Sequence, residues 1–137
     1  MTTMPQDIRD RWVAALRSGE FKQGRNSLKT FKAGRCAHCY LGVLSEVVPR
    51  RSYDGWAWDT GRGAWIDPAG DTIDTGLPFP VAVALGISGT LEDTLVLMND
   101  GLRAGVRSVG FARQPFAQGA DWIEQNVPVL CGEMGVA

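Results

Sequence analysis

The stretch "YLGVLSEVVP", residues 40 to 49, constrains the fold more than any other. At about 100° per residue, Tyr40, Leu41, Val43, Leu44, Val47 and Val48 share one side, and Gly42, Ser45 and Glu46 take the other, which is the period of a helix with one apolar face. Pro49 ends it. Just upstream stand Cys36, His38 and Cys39, which look like half of a metal site. A structural zinc site needs about four Cys or His ligands at close range. The chain holds three cysteines and one histidine, and the third cysteine, Cys131, is far off in sequence. A metal would consume the whole inventory, so Cys39 is expected to be a thiol packed at the start of the helix, with no metal and no cofactor. The surroundings are not a βαβ unit, which argues against a thioredoxin-like redox pair.

Other apolar periods give the remaining elements. Residues 3 to 18 predict an amphipathic helix, with Thr3 as its cap, Gln6 at the capping-box position and Ile8, Trp12, Ala15 and Leu16 as its stripe, ended by Gly19. Residues 20 to 35 are basic and broken by glycines, and read as a long connection with one ordered piece around Leu28 to Phe31. Its cations, Lys22, Arg25, Lys29, Lys32 and Arg35, fit either a solvated face or an anion site. "GWAWDTGRGAWID", residues 55 to 67, predicts a β-hairpin with a turn at Gly61-Arg62, Asp59 opposite Ala64 and Trp58 opposite Trp65. Trp56 then shares a face with Trp58 and Trp65, because strand side chains alternate. That face is either the core side of a small sheet or a platform on which a ring stacks.

Residues 68 to 80 read as an irregular loop and 80 to 86 as a short helix ending at Gly86. A longer helix follows, with Thr90 and Asp93 as a capping box, Leu91, Leu95, Met98 and Leu102 as its stripe, and "NDG" at 99 to 101 as its stop. Residues 101 to 113 read as a loop or second hairpin. A last helix spans about 114 to 126, with Phe116, Ala120, Ile123 and Val127 as its stripe and Pro128 after it. The expected architecture is α+β: about four helices packed on a small antiparallel β-hairpin or sheet, forming a single domain over residues 1–137.

Composition narrows the function classes. The net charge of -1 sets up no field toward nucleic acid or a membrane, and neither is expected as a partner. Eleven arginines against three lysines mildly favour recognition of anions or rings, although a GC-rich genome produces the same bias. "MTTMPQDIRDRW" has no apolar signal region, so a cytoplasmic setting with free thiols is expected. His38 is the only histidine, and its position beside Cys36 and Cys39 is poor for a catalytic pair. "DTG" occurs at 59 to 61 and 74 to 76, too close for the two lobes of an aspartic protease, and the first falls in a hairpin turn. There is no phosphate-binding loop of the Walker or dinucleotide type, and no helix-turn-helix spacing. The chain is not expected to be an enzyme.

Four stretches together carry a resemblance: "WVAALRSGEFKQG", "CYLGVLSEV", "LVLMNDG" at 95 to 101, and "PFAQGADWIEQN" at 115 to 126. They resemble the pattern of a small uncharacterised family of tailed-bacteriophage and prophage proteins, over most of the chain. That pattern often has Cys where Tyr40 and Ser45 stand, and a Glu-Ile pair where Gln118 and Gly119 stand. The resemblance implies an accessory protein, in some cases an anti-defence one, in the cytoplasm of a host bacterial cell. Such proteins bind an effector, or sequester a cyclic-nucleotide or ADP-ribose-type signal as a molecular sponge. Arginines for phosphates and aromatics for bases suit the second role. The candidate ligand-binding residues are therefore Arg50, Arg51, Trp56, Trp58, Arg62 and Trp65, joined by Asn99 of "LVLMNDG". The expected partner is a small anionic, nucleotide-like ligand, held by a homo-oligomer. The alternatives are an inhibitor that binds a host protein through an exposed surface, and an enzyme with an unrecognised site.

Overall fold

Ile8, Trp12, Val13 and Leu16 are all buried on the first helix, α1 (Gln6–Ser18), which closes on Gly19 in the left-handed conformation. The computed structural model describes residues 3–100 and 114–130. The helix does not begin at Thr3. Met4–Pro5 is a short strand, β1, pairing in parallel with β7 (Val129–Leu130) at the far end of the chain. Pro5 occupies the cap position with extended backbone and no side-chain cap. The extended course puts Met4 wholly inside the core, and that burial outweighs the hydroxyl cap a Thr3 start would supply.

The basic connection is more ordered than expected. β2 (Lys29–Lys32) and β3 (Arg35–His38) form an antiparallel hairpin with Phe31 opposite Cys36. Ala33 and Gly34 both have positive φ, as a two-residue turn between strands requires. Cys36 is thus an exposed strand residue, while Cys39 caps the next helix, its Sγ accepting from the Gly42 N–H at 3.3 Å.

That helix, α2 (Tyr40–Val47), lies at the centre of the molecule. Its expected polar side is covered too: Gly42 and Ser45 are buried along with the apolar face. Gly42 faces the chain at Leu28 so closely that a Cβ would lie 1.7 Å from the Leu28 carbonyl oxygen. The hairpin that follows, β4 (Ala57–Asp59) and β5 (Ala64–Ile66), has the expected register, with Trp58 opposite Trp65 and Asp59 opposite Ala64. β6 (Thr72–Ile73), within the stretch read as irregular, adds a third strand beside β5.

α3 (Phe79–Leu85) ends at Gly86, and α4 (Gly89–Asp100) follows. Its first turn is capped by Ser88, whose hydroxyl accepts from the Leu91 N–H at 3.1 Å, so the Thr90–Asp93 box is not used. α5 (Phe116–Asn126) buries Phe116, Ala120 and Ile123, with Val127 buried just beyond it. The expected Leu102, the 101–113 segment and Cys131 lie outside the described residues. The chain is an α+β protein, and the described residues form five helices rather than about four, with small sheets of two and three strands rather than one hairpin. Among the described residues no single helix is long and apolar enough to cross a membrane.

α1 packs on α5 and on α2, and α4 packs on α2 and α5. Trp12, Tyr40, Leu44, Trp65, Leu85, Leu95 and Ile123 fill the space between them. Each fully buried aliphatic or aromatic side chain contributes about 1.5–3 kcal/mol. The Trp12 indole donates to the Tyr40 carbonyl at 2.8 Å, which satisfies its only polar group inside the core. The Tyr40 ring reaches α5 at Gly119, where a Cβ would lie 2.4 Å from Cζ. Tyr40 and Gly119, two of the positions that depart from the resembled pattern, are therefore in direct contact, a large residue facing the smallest one.

Candidate functional site

The tryptophan face of the β4–β5 hairpin turns inward, onto α2. Trp65 is fully buried, and its indole N–H donates to the Ser45 hydroxyl at 3.0 Å. Trp58 is half-buried and donates to Glu46 Oε1 at 2.9 Å. The two rings lie 5.6 Å apart in a tilted arrangement. Trp56 is half-buried against the same core. Trp65 offers no face to a ligand, and Trp58 is tied to the helix.

Glu46 gathers the polar groups of this region, and nothing in the helical pattern singled it out. Oε2 takes hydrogen bonds from Thr60 Oγ1 at 2.8 Å and His38 Nε2 at 2.9 Å, and lies 3.2 Å from Lys29 Nζ. Oε1 also faces the guanidinium of Arg50 at 3.4 Å. The Glu46 side chain is only 9% exposed. Burial on its own would raise this carboxyl. The hydrogen bonds from His38, Trp58 and Thr60 and the Lys29 charge more than offset it, and hold Glu46 well below the usual carboxylate range. With Nε2 donating to Glu46, the buried Nδ1 of His38 has no partner among the described residues.

This arrangement bears on the arginines near the hairpin. Arg50 and Arg51 do line a small cavity of about 180 Å³ with Tyr53, Trp58 and Trp65. Arg50, however, is bonded to the Glu46 carbonyl and carboxylate, and Arg51 lies over the Tyr53 ring, 3.9 Å from its centroid. Arg62 is exposed in the turn beside Asp59, 3.7 Å from its carboxylate, and does not line this cavity. The anion that Arg50 serves is the protein's own Glu46.

Arg50, Ala57, Trp58, Asp59, Thr60 and Ile66 also border a shallow hollow of about 440 Å³ at the hairpin. A more enclosed opening of the same volume has Asn99 in its lining. It is a cleft of about 440 Å³ between the 25–27 loop, the start of α2, Thr75 and the last turns of α4. Its floor is apolar, with Leu41, Leu95 and Val96. Its polar wall holds Arg25, Asn26, Asn99 and Asp100. Arg25 is exposed, whereas Asn99 is fully buried. The Asn99 amide donates to the Gly24 carbonyl at 2.7 Å and to Asp100 Oδ1 at 2.8 Å, and its oxygen accepts from Gln23 at 3.0 Å. Asp100 Oδ1 also accepts from the Asn26 backbone N–H at 3.3 Å. These bonds fix the 23–26 backbone against α4 and hold the cleft's polar wall in place. Cys39 lines the cleft, but burial pushes its thiol up to about 11, so it stays protonated at neutral pH.

The expected site residues thus fall into three places. Arg50, Arg51, Trp58 and Trp65 meet at the hairpin, Trp56 packs nearby, Arg62 stands apart in the turn, and Asn99 sits in the cleft. Cys36 and Cys39 diverge, the first exposed on β3 and the second buried, and among the described residues no group of three or more His, Cys, Asp or Glu is placed to hold a metal. Asn26 and Asp100 were not singled out by the sequence, and Arg25 only as one of five cations that fit a solvated face or an anion site. Asp100 carried a signal: it is an acid in the last turn of a helix, where the dipole disfavours it.

A family model described as a domain of unknown function (DUF8296) matches residues 4–69. That span holds the whole Glu46 cluster and the Arg25 side of the cleft, while Thr75 and the α4 wall lie beyond it. No curated protein and no solved structure matches the chain.

Proposed function

We propose that this protein is a non-enzymatic accessory protein of the phage type, which sequesters a small anionic, nucleotide-type ligand in the cleft between the 25–27 loop and α4. The observation that carries the reading is the composition of that cleft: an exposed Arg25 beside fixed polar groups, over an apolar floor. Its volume of about 440 Å³ is within the range of small-molecule sites, roughly 300–1,000 Å³. Aliphatic walls take the face of a base, and a guanidinium takes a phosphate through paired hydrogen bonds. The hairpin supports the role less well, since Glu46 already occupies Arg50 and Trp58, and Trp65 is sealed.

The test is calorimetric titration with a panel of mononucleotides, cyclic nucleotides and ADP-ribose-type compounds. At least one should bind. Arg25→Ala should weaken it about tenfold or more, the scale of one charge-assisted hydrogen bond, while Arg62→Ala leaves it unchanged. If no panel member binds, or if Arg25→Ala has no effect, the reading fails. Native mass spectrometry of protein recovered from its host cell would report both a retained ligand and the subunit count.

The alternative of a surface inhibitor rests on Phe79 and Val83, exposed one turn apart on α3 at 80% and 49%. Two side chains make a smaller apolar surface than the patches that mark protein interfaces.

A further inference from the structure

The cleft has an acid in its lining, which an anion-binding site has no evident use for. Asp100 is 8% exposed, closes α4, and lines the same cavity as Arg25. A carboxylate at a helix C-terminus and next to a cleft meant for a phosphate is unfavourable on both counts, unless something in the ligand donates to it. Among the described residues, both of its donors, the Asn26 N–H and the Asn99 amide, go to Oδ1. Oδ2 is left to accept from whatever enters. An ionised carboxylate has about four acceptor positions, so this capacity is real even with Oδ1 occupied.

Resting on the nucleotide reading above, we infer that Asp100 selects the ligand: the cleft takes nucleotides that bring an N–H or O–H donor to Asp100 while their phosphate meets Arg25. Two parts of a nucleotide supply such donors. One is the ribose 2′-hydroxyl, the group that acidic residues read in dinucleotide sites. The other is the edge of guanine, where a ring N1–H and an exocyclic N2–H2 stand side by side as two donors. Adenine and cytosine each set a ring nitrogen acceptor beside a single exocyclic amine, and that lone pair would face the carboxylate. Asn26 and Asn99 act as positioning residues here, because their bonds to Oδ1 fix which oxygen turns toward the cleft.

The experiment varies the ligand first, which needs no change to the protein. Guanosine, inosine, adenosine, cytidine and 2′-deoxyguanosine monophosphates are titrated into the wild-type protein. A penalty of roughly 10- to 100-fold is expected for whichever analogue lacks the donor that Asp100 accepts. Loss with the 2′-deoxy compound assigns the donor to the ribose. Loss with adenosine and cytidine, and partial loss with inosine, assigns it to the base edge. Asp100→Asn then keeps an oxygen for Asn26 and Asn99 but puts an amide in place of one carboxylate oxygen, and it should remove the discrimination while leaving the thermal midpoint nearly unchanged. Binding of all five with equal affinity, or discrimination that survives Asp100→Asn, overturns the role of Asp100 and leaves the nucleotide reading standing. No binding of any of the five nor of the wider panel overturns both.

Discussion

Glu46→Gln is the most informative single change for the architecture. The wild-type carboxylate serves His38, Thr60 and Lys29 through Oε2, and Trp58 and Arg50 through Oε1. Glutamine keeps one of the two oxygens and turns an NH₂ toward the donors of the other. On one side the Trp58 N–H loses its acceptor; on the other, His38 Nε2 loses its acceptor, and Lys29, still bonded to Thr60, loses its counter-charge, with the two side chains 6% and 11% exposed. Breaking a buried ion pair from one side costs about 3–5 kcal/mol, and a single charge-assisted bond about 1.5–3 kcal/mol. The residual oxygen recovers part of this, so a loss of about 3 kcal/mol is expected. Urea unfolding followed by tryptophan fluorescence at neutral pH measures it directly, as a shift in midpoint at unchanged slope. The pH dependence gives a second check. Glu46 is held below the usual carboxylate range in the folded protein, so its contribution is complete above the unfolded value of about 4.3 and is lost as the pH falls from there toward the folded value. The gap between wild type and Glu46→Gln should therefore shrink below about pH 4. A gap under about 1 kcal/mol at neutral pH, or one that does not change on acidification, would refute this account of the cluster.

Two further changes test the packing. Ile123→Ala, at a fully buried position of α5, should cost about 2–5 kcal/mol in denaturant titration, against less than about 0.5 kcal/mol for exposed Gln125→Ala. Gly119→Ala should destabilise the wild type by about 1–3 kcal/mol, because its methyl meets the Tyr40 ring, and should cost clearly less in a Tyr40→Ala background; equal costs in the two backgrounds would show that the contact is not the cause.

The helices were legible because their apolar stripes are long and regular. The stripes of α1, α2 and α5 name most of their buried residues, although they miss Val13, Gly42, Ser45 and Gly119 and include Ala15 and Val47, which are only half-buried; the β4–β5 register followed from a short turn between paired tryptophans. Two features hid the rest. The β2–β3 turn is Ala33-Gly34 and not one of the Asn-Gly or Asp-Gly pairs that announce such a turn, and the strands beside it are rich in charge. The start of α1 was misplaced because the pairing that extends Met4–Pro5 comes from residues 129–130, and nothing local to Thr3 reveals a partner so distant.

The site was harder to read for a related reason. Helical phase sorts residues into apolar and polar sides, and it leaves undecided what a polar side faces. On α2 the side with Gly42, Ser45 and Glu46 is covered by Leu28, Trp65 and the Lys29–His38 strands, so a residue expected in solvent became the anchor of the tryptophan hairpin. Of the arginines that looked free, Arg50 is a counterion to it. On α4 the same logic ran the other way. Asn99 lies one turn after Leu95, on the apolar side, and Asp100 stands one turn after Val96 at the unfavourable end of the helix dipole. Two polar residues in positions that cost stability are a stronger pointer to a site than an aromatic face, because aromatics earn their place by packing alone. On that reasoning the cleft between the 25–27 loop and α4, with Arg25 and Asp100 in its lining, is the place for the proposed ligand, and the tryptophan hairpin is part of the frame that holds α2 in position.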